Sequence, residues 1–573
     1  MIDLRSSAAP YGAHSSPTAA GLLPVAVIVL FCALCAVLLS LPLSLPVGPM
    51  YWDTFIYYDG INRVLDGQLP AVDFEAPVGP LNYWLATLAH LAFPNAQPLL
   101  LIHFSFLVLT APILALIAVE AARRSRLAAW GLVLPFLFFA ALPFDTVDFY
   151  PFPGSDGFGY YNRHAAQLMY LVAAAVFFVP RRGMQAALIA VLMLALFLSK
   201  VTGFLSVGLV LAFGLFAGLI APLTAIVVTA AFGLALAGIE LSSGLVSAYV
   251  ESILFLAGSN QDSILPRFLT ALSQRFDVAL AGGLLVVALL ASTLASRWPA
   301  RDEERAHVLS RPLARLLDHD GFAIGVCLAA GLVFETQNTG SQAFLLVWPP
   351  ILRMLMRLSG ERVAYRTAIL VLVAAATLPT LTKTGHRAIR TAIAGITYDR
   401  LETEHLGTLG HVSAKDLFLK RADILRAAYP AEPGLARAVN DQGEPLSAII
   451  ASEPDFQLLW LKTVDEAVGA IEALETARGQ RFETIFTLDF TNPFPFLLGR
   501  SGPKGVAIGA DPFRTVPAMQ AQAKSEISGP GLVLAPTCPD MTSRRLLMQT
   551  YGPALAGHEQ VKLTPCYEAF IKR

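Results

Sequence analysis

Long apolar runs separated by short polar breaks dominate the first two thirds of the chain. The first, Leu22 to Leu45, is long enough to cross a hydrocarbon core, which takes roughly 20 apolar residues. Further runs near 98 to 122, 127 to 143, 164 to 180, 184 to 199, 203 to 220, 222 to 240, 278 to 295, 321 to 334, 342 to 358 and 366 to 381 bring the prediction to about eleven transmembrane helices. Pro80 to Phe93 is too short to span and is predicted to lie as a helix along the membrane surface, within an external loop over 46 to 97. Residues 1 to 21 are mostly polar, small and Pro-containing, and are expected to be a disordered cytoplasmic N-terminus.

The pattern changes near residue 382. Short β-prone runs at Ser447 to Ala451, Thr484 to Phe490, Gly505 to Gly509, Gly531 to Ala535 and Glu568 to Lys572 alternate with helical stretches at Val464 to Arg478 and Ser543 to Tyr551. Such alternation predicts a small soluble α/β domain over 382 to 573. Charge agrees with the boundary, since about half of all charged residues fall from Leu381 onward. The expected fold class is therefore an α-helical polytopic membrane protein, its membrane part over 22 to 381, with a C-terminal soluble α/β domain.

With 55% hydrophobic and only 14% charged residues, the composition belongs to the polytopic membrane class, and a net charge of −1 gives no sign of a nucleic-acid partner. Four basic clusters decide orientation: Arg123, Arg124 and Arg126; Arg181 and Arg182; Arg297 to Arg315; and Arg353 to Arg366. Such clusters stay cytoplasmic. The loops at 145 to 163, 199 to 202, 242 to 277 and 335 to 342 are then external, and an odd number of crossings puts the C-terminal part there too. Cys32, Cys35 and Cys327 lie in apolar runs and read as small core residues, whereas Cys538 and Cys566, in an exported segment, are a candidate disulfide.

One stretch concentrates acid beside the membrane. Met50 to Trp84 carries Asp53, Asp59, Asp66, Asp73 and Glu75 against the lone Arg63. Asp53 reads as the N-cap of a surface helix whose apolar face holds Tyr57, Ile61, Val64 and Leu65; a helix N-terminus would lower its pKa. Asp59 reads as a solvated face, Asp66 as a helix end, and Asp73 and Glu75 as members of an extended, Pro-flanked segment.

The order of Asp53, the paired Tyr57 and Tyr58, Leu65-Asp66-Gly67-Gln68-Leu69-Pro70, Asp73-Phe74 and Gly79-Pro80-Leu81-Asn82-Tyr83-Trp84 resembles the first external loop of the GT-C membrane glycosyltransferases. Relatives of that kind include the bacterial lipid A aminoarabinose and galacturonic acid transferases and the protein O-mannosyltransferases. The resemblance covers about thirty-five residues in motif terms, and the membrane part in layout. It implies a polyprenyl-phosphate sugar as donor and transfer with inversion to an envelope lipid, glycan or protein. It also implies residence in a bacterial inner membrane with the C-terminal domain periplasmic, and a role in envelope or lipopolysaccharide biogenesis.

Asp53 matches the family's base position, with Glu75 or Asp73 as the second carboxylate and Tyr57 and Tyr58 as substrate contacts. Many members carry another acid directly after the first. Here Thr54 stands there, and no metal-ligand spacing occurs, so neither a divalent metal nor another cofactor is expected. Lys-Pro-Pro of the aminoarabinose branch is replaced by Ala76-Pro77-Val78-Gly79-Pro80, so that substrate is not carried over.

For the donor phosphate, Arg163 offers a planar fork with His164 beside it, in Gly159-Tyr160-Tyr161-Asn162-Arg163-His164; an interfacial Arg among belt aromatics is the equal alternative. Lys200, between two apolar runs, is assigned to the phosphate because an embedded ammonium is costly. Glu335, Gln337, Asn338 and Gln342 cluster at an external helix end, where they could line a sugar pocket or cap the helix. His103 and Glu120 read as packing residues. A transporter or flippase of lipid-linked sugars, or a glycan polymerase, are the rival functions, and inverted repeats, which would favour transport, are not visible.

Overall fold

The computed structural model describes residues 19–146, 151–259, 264–297, 317–336, 341–358, 361–432, 453–529 and 531–573. Gln337, Asn338, the Ser447 to Ala451 run and most of the Arg297 to Arg315 cluster lie outside them.

The membrane part is helical throughout. In chain order its helices are α1 (Ala19–Leu39), α2 (Asp53–Leu65), α3 (Pro80–Ala92), α4 (Pro98–Phe104), α5 (Leu107–Ala122), α6 (Arg126–Ala141), α7 (Tyr160–Phe178), α8 (Arg182–Ser199), α9 (Val201–Phe216), α10 (Pro222–Ser243), α11 (Leu245–Ser259), α12 (Ile264–Gln274), α13 (Phe276–Arg297), α14 (Asp320–Glu335), α15 (Trp348–Arg357) and α16 (Val363–Thr397). Each apolar run of the sequence falls on one of these. Among the described residues, five helices or helix pairs are long and apolar enough to cross a membrane: α1, the joined α4 and α5, α8, α10 and α16. The bent pair α12 and α13, turned by 92° at its break, is a sixth candidate, while α6, α9 and α11 are apolar but shorter.

α7 is the hub of the bundle. Its residues from Ala165 to Ala175 are shielded on every side, and it packs against α5, α8, α9 and the 3-10 turn Ala343–Val347. Helices at the rim, α1 and α10, expose Leu and Val outward, as lipid-facing helices do. Arg123 and Arg181 both reach Glu120, each at 3.4 Å, so two of the basic clusters meet at one end of the bundle.

The boundary expected at 382 falls inside a helix. α16 continues for 35 residues to Thr397 with only Pro379 inside it, well beyond the apolar run that marks its membrane part. Three short strands follow from this arrangement: β1 (Leu45–Pro46), β2 (Asp399–Arg400) and β3 (Val412–Ala414), in the order β1-β3-β2. β1, just after α1, runs parallel to β3, so the start of the acidic loop is paired with the C-terminal third of the chain.

That third adds α17 (Asp416–Ala431), α18 (Pro454–Arg478), α19 (Phe494–Leu498), α20 (Ala521–Ile527) and α21 (Thr542–Tyr551). A sheet of β4 (Ile485–Thr487), β5 (Leu532–Pro536), β6 (His558–Thr564) and β7 (Tyr567–Lys572) has the order β4-β5-β7-β6; β4 and β5 are parallel, the remaining pairs antiparallel. Gly505 to Gly509 is not a strand: Ala507 only bridges to Glu75, which gives this run to the acidic loop instead of the sheet. Cys538 and Cys566 are joined by a disulfide, with Cα atoms 5.0 Å apart.

Candidate active site

α2 is not a surface helix. Every residue from Asp53 to Arg63 is buried, because the C-terminal third closes over the side that a membrane-surface helix would turn to water. Phe55 packs edge-on against Trp460 of α18, and Tyr58 against Phe496 of α19 and His90. Polar side chains are matched one by one: Asn62 donates to the Arg500 carbonyl (2.8 Å), Arg63 to the Pro503 carbonyl (2.7 Å) and Gln68 to the Gly502 carbonyl (2.9 Å). Asp59, which periodicity assigns to solvent, is buried and holds Arg63 at 2.8 Å. A buried carboxylate of this kind requires its cation.

Asp53 is the first residue of α2, and no side chain caps that helix, so the N-cap reading is corrected. Its carboxylate instead accepts from the backbone N–H of Gly159, in the loop before α7. Two glycines allow this approach. Gly157 lies so close to the first loop that a Cβ there would come within 2.5 Å of the Met50 carbonyl oxygen, and Gly159 turns with φ of 72°, in the left-handed region. Burial pushes the Asp53 pKa up to about 8, the Arg163 charge and the Gly159 hydrogen bond pulling against it and the nearby Asp145 adding to it. The expected lowering by the helix terminus is thus outweighed by desolvation.

Four tyrosines surround this carboxylate. Tyr57, Tyr83, Tyr160 and Tyr161 all lie within its electrostatic reach. The rings of Tyr57 and Tyr83 are 5.6 Å apart and those of Tyr57 and Tyr160 5.4 Å. Tyr160 shares a 2.8 Å hydrogen bond with Thr54. The hydroxyls of Tyr57 and Tyr83 are buried and have no protein partner among the described residues. Unsatisfied hydroxyls beside a buried acid are what a polyhydroxylated ligand would complete.

Lys200 occupies the turn between α8 and α9. Ser199 pins that turn: its carbonyl accepts from the Gly79 N–H (3.0 Å) and the Asn82 amide (2.9 Å), and its hydroxyl donates to Asn82 (3.2 Å). The contact is so close that a Cβ on Gly79 would stand 2.1 Å from the Leu198 oxygen. The Lys200 ammonium rests 4.4 Å from the centre of the Tyr161 ring, and no carboxylate pairs with it among the described residues. Desolvation pushes its pKa down to about 8. A cation held on an aromatic face without a counter-ion is poised for an anion.

Other expected residues are differently employed. Arg163 is fully buried; its guanidinium donates to Asp145 (2.9 Å) and to the carbonyls of Phe158 (2.8 Å) and Asp156 (3.1 Å). It therefore orders the second loop and lends its charge to Asp53. His164 bonds the His103 carbonyl (3.1 Å) and stacks on Phe106 in the bundle interior. Tyr58 packs against Phe496 of the C-terminal third and His90. Asp73 accepts from the Leu69 N–H (2.8 Å) and pairs with Lys504 (3.0 Å), the work of a loop residue.

Glu75 is half-buried and accepts from Ser252 of α11 at 2.7 Å; burial raises its pKa, with Ser252 opposing and Glu251 adding. Glu335 is taken by Arg275 (3.1 Å) and Ser341. Among the described residues, no group of three His, Cys, Asp or Glu side chains could hold a metal ion.

Sequence reasoning passed over Tyr160, Tyr161 and Arg387. Arg387, on the extension of α16, donates to Asp156 (2.6 Å) and to the Asp145 carbonyl (2.8 Å), closing a network of two arginines and two aspartates beside Asp53. An arginine directly after an apolar span, on the side where basic residues are few, is the signal that could have found it.

Fold and site together define a multi-pass helical membrane protein with a buried acid under a tyrosine cluster, and a lysine on the Tyr161 ring that meets no carboxylate among the described residues. Among solved structures, the chain is similar to ArnT from Cupriavidus metallidurans in the apo state, at 14% identity and a TM-score of 0.40, covering 95% of this chain and 97% of that one. Against the same protein bound to undecaprenyl phosphate the values are 15%, 0.42, 95% and 98%. A third similarity, at 12% identity and a TM-score of 0.31 over 94% of this chain and 72% of that one, is to the archaeal oligosaccharyltransferase AglB from Archaeoglobus fulgidus in complex with an inhibitory peptide and a dolichol-phosphate. No family profile and no curated protein sequence matches the chain.

Proposed function

We propose that the protein is a membrane glycosyltransferase that moves a sugar from a polyprenyl-phosphate donor to a hydroxyl of an envelope acceptor on the external face. The observation that carries this reading is the pairing, around Tyr161, of a buried carboxylate of raised pKa with a lysine that has no counter-ion among the described residues. Transfer of this kind needs a base for the acceptor proton and a cation for the departing phosphate.

In the proposed step the acceptor oxygen attacks the anomeric carbon and its proton passes to Asp53. The bond from that carbon to the phosphate oxygen breaks, and its electron pair leaves with the lipid phosphate, which Lys200 holds. One displacement inverts the anomeric centre. The Tyr57 and Tyr83 hydroxyls bind the sugar, and Glu75, hydrogen-bonded to Ser252, is the second carboxylate at the rim. Arg163 acts through Asp53 and Asp145 as a positioning residue.

The test supplies purified protein with labelled polyprenyl-phosphate sugars and an envelope extract, comparing wild type with Asp53→Asn. Transfer by wild type and its loss in the variant is the expected result. Unchanged transfer in the variant overturns the catalytic assignment, and no transfer with any donor moves the reading to transport of lipid-linked sugars.

A further inference from the structure

A cavity of about 600 Å³ opens beside the proposed active site, between α6, α13, α14, α15 and α16. Its body is apolar, walled by Leu134, Phe138, Leu328, Trp348 and Ile351, while its other end carries Asp145, Thr146, Arg275, Gln342, Thr384 and Arg387. A volume of this order suits one small ligand. Apolar walls built from membrane helices, leading to a polar end at the loops, match an amphiphile that enters tail-first from the bilayer.

The polar end is under-satisfied. Asp145 Oδ2, Arg275 Nε, Gln342 Oε1 and Thr384 Oγ1 are buried and have no hydrogen-bond partner among the described residues. Such atoms are rare in folded proteins, and four around one cavity point to an occupant. Two of them, the carboxylate and amide oxygens, can only accept, so the occupant must bring O–H or N–H donors.

The charges at this end are already balanced: Arg275 faces Glu335 (3.1 Å), Lys383 faces Asp277 (2.9 Å) and Arg387 faces Asp156 (2.6 Å). Among the described residues a phosphate head would find no spare cation there, unlike at Lys200. A neutral head rich in hydroxyls fits both facts. Asp145, at this end, is salt-bridged to Arg163, whose charge also acts on Asp53.

We infer that this cavity holds the acceptor, and that the acceptor is an amphiphile with a neutral, polyhydroxylated or sugar-bearing head and an aliphatic tail. The inference rests on the transferase reading and narrows it, excluding a peptide or a water-soluble glycan as the substrate.

The test uses the full chain in lipid nanodiscs with three photoreactive probes that share one diazirine-bearing alkyl chain and end in glucose, phosphate or a methyl ester. The glucoside should label peptides of α6 and α16, and excess unlabelled alkyl glucoside should suppress the labelling. Thr380→Trp, which plugs the cavity from α16, should lower labelling at least tenfold. Thr384→Val, which removes a hydroxyl without a protein partner, should weaken competition several-fold. Labelling that is equal for the phosphate or ester probe, or unchanged by Thr380→Trp in protein with a wild-type thermal transition, overturns the inference.

Hydrolysis of a polyprenyl-phosphate sugar by the wild-type chain without acceptor reads the catalytic proposal separately. Glucoside labelling in a chain that neither hydrolyses nor transfers from any donor overturns the acceptor role along with that proposal, whereas donor hydrolysis without labelling overturns the cavity alone.

Discussion

Moving the pH from 6 to 8 tests the burial of Asp53. Its raised pKa means that the carboxylate form needed to take a proton is populated only as pH climbs. With a pKa of about 8, the ionised fraction is roughly one in a hundred at pH 6 and one half at pH 8; with Lys200 half deprotonated at pH 8, kcat/KM should rise about twenty-five-fold between them. Lys200 works in the opposite sense. Its pKa, lowered to about 8, removes the phosphate-binding cation above that value, and the profile should turn down again.

The expected curve is a bell with its maximum near pH 8, measured as initial transfer rates at low donor concentration in buffers of constant ionic strength. Asp53→Asn should flatten the acid limb and lower the maximum by roughly 10²- to 10⁴-fold, the usual contribution of a general base. Lys200→Arg keeps its charge up to about pH 12, so the alkaline limb should flatten while the acid limb stays. A wild-type rate that is level from pH 6 to 8, or an acid limb that survives in Asp53→Asn, refutes the assignment of the base.

Arg163→Ala should leave Asp145 buried without its cation and destabilise the fold by about 3–5 kcal/mol, visible as a lowered thermal transition, and should shift any residual acid limb to higher pH because Arg163 lowers the Asp53 pKa. Gly79→Ala drives a methyl group against the Leu198 oxygen and should cost about 1–3 kcal/mol while raising the donor KM through displacement of the Lys200 turn. Cys538→Ser opens a link between residues 28 apart in sequence and should lower stability by about 3 kcal/mol, read in the thermal transition under oxidising conditions. Treatment with EDTA should leave the transfer rate unchanged, since Arg163 and Arg387 already balance the Asp145 and Asp156 charges near the site.

Much of the membrane part is legible in sequence because span length and apolarity are local properties. Each predicted run from Leu22 to Leu381 coincides with helix, and Pro80 to Phe93 forms one too short to span. What local pattern cannot register is burial by distant chain. Asp59 and the rest of α2 look amphipathic, yet the segment from Gln457 to Pro503 covers their polar face. The same reason inverts the pKa argument for Asp53, whose burial raises its pKa while Gly159 and Arg163, more than a hundred residues away, oppose the rise. Lys200 was discernible as a costly embedded charge, but the difference between it and Arg163 lies in whether a carboxylate meets each one, and that is a matter of tertiary contact. Tyr161 carried no signal beyond being one aromatic among many at an interface.

The parallel pairing of Leu45–Pro46 with Val412–Ala414, and the Gln457 side chain that donates to the Gly48 carbonyl (2.9 Å) and accepts from the Tyr51 N–H (2.6 Å), impose an order on biogenesis. The loop bearing Asp53 leaves the ribosome early, directly behind the first helix, yet the groups that satisfy its backbone are translated some four hundred residues later. A product cut short before Pro454 would insert its spans yet lack Gln457, leaving the Gly48 carbonyl and the Tyr51 N–H without the partner that pins the start of the loop.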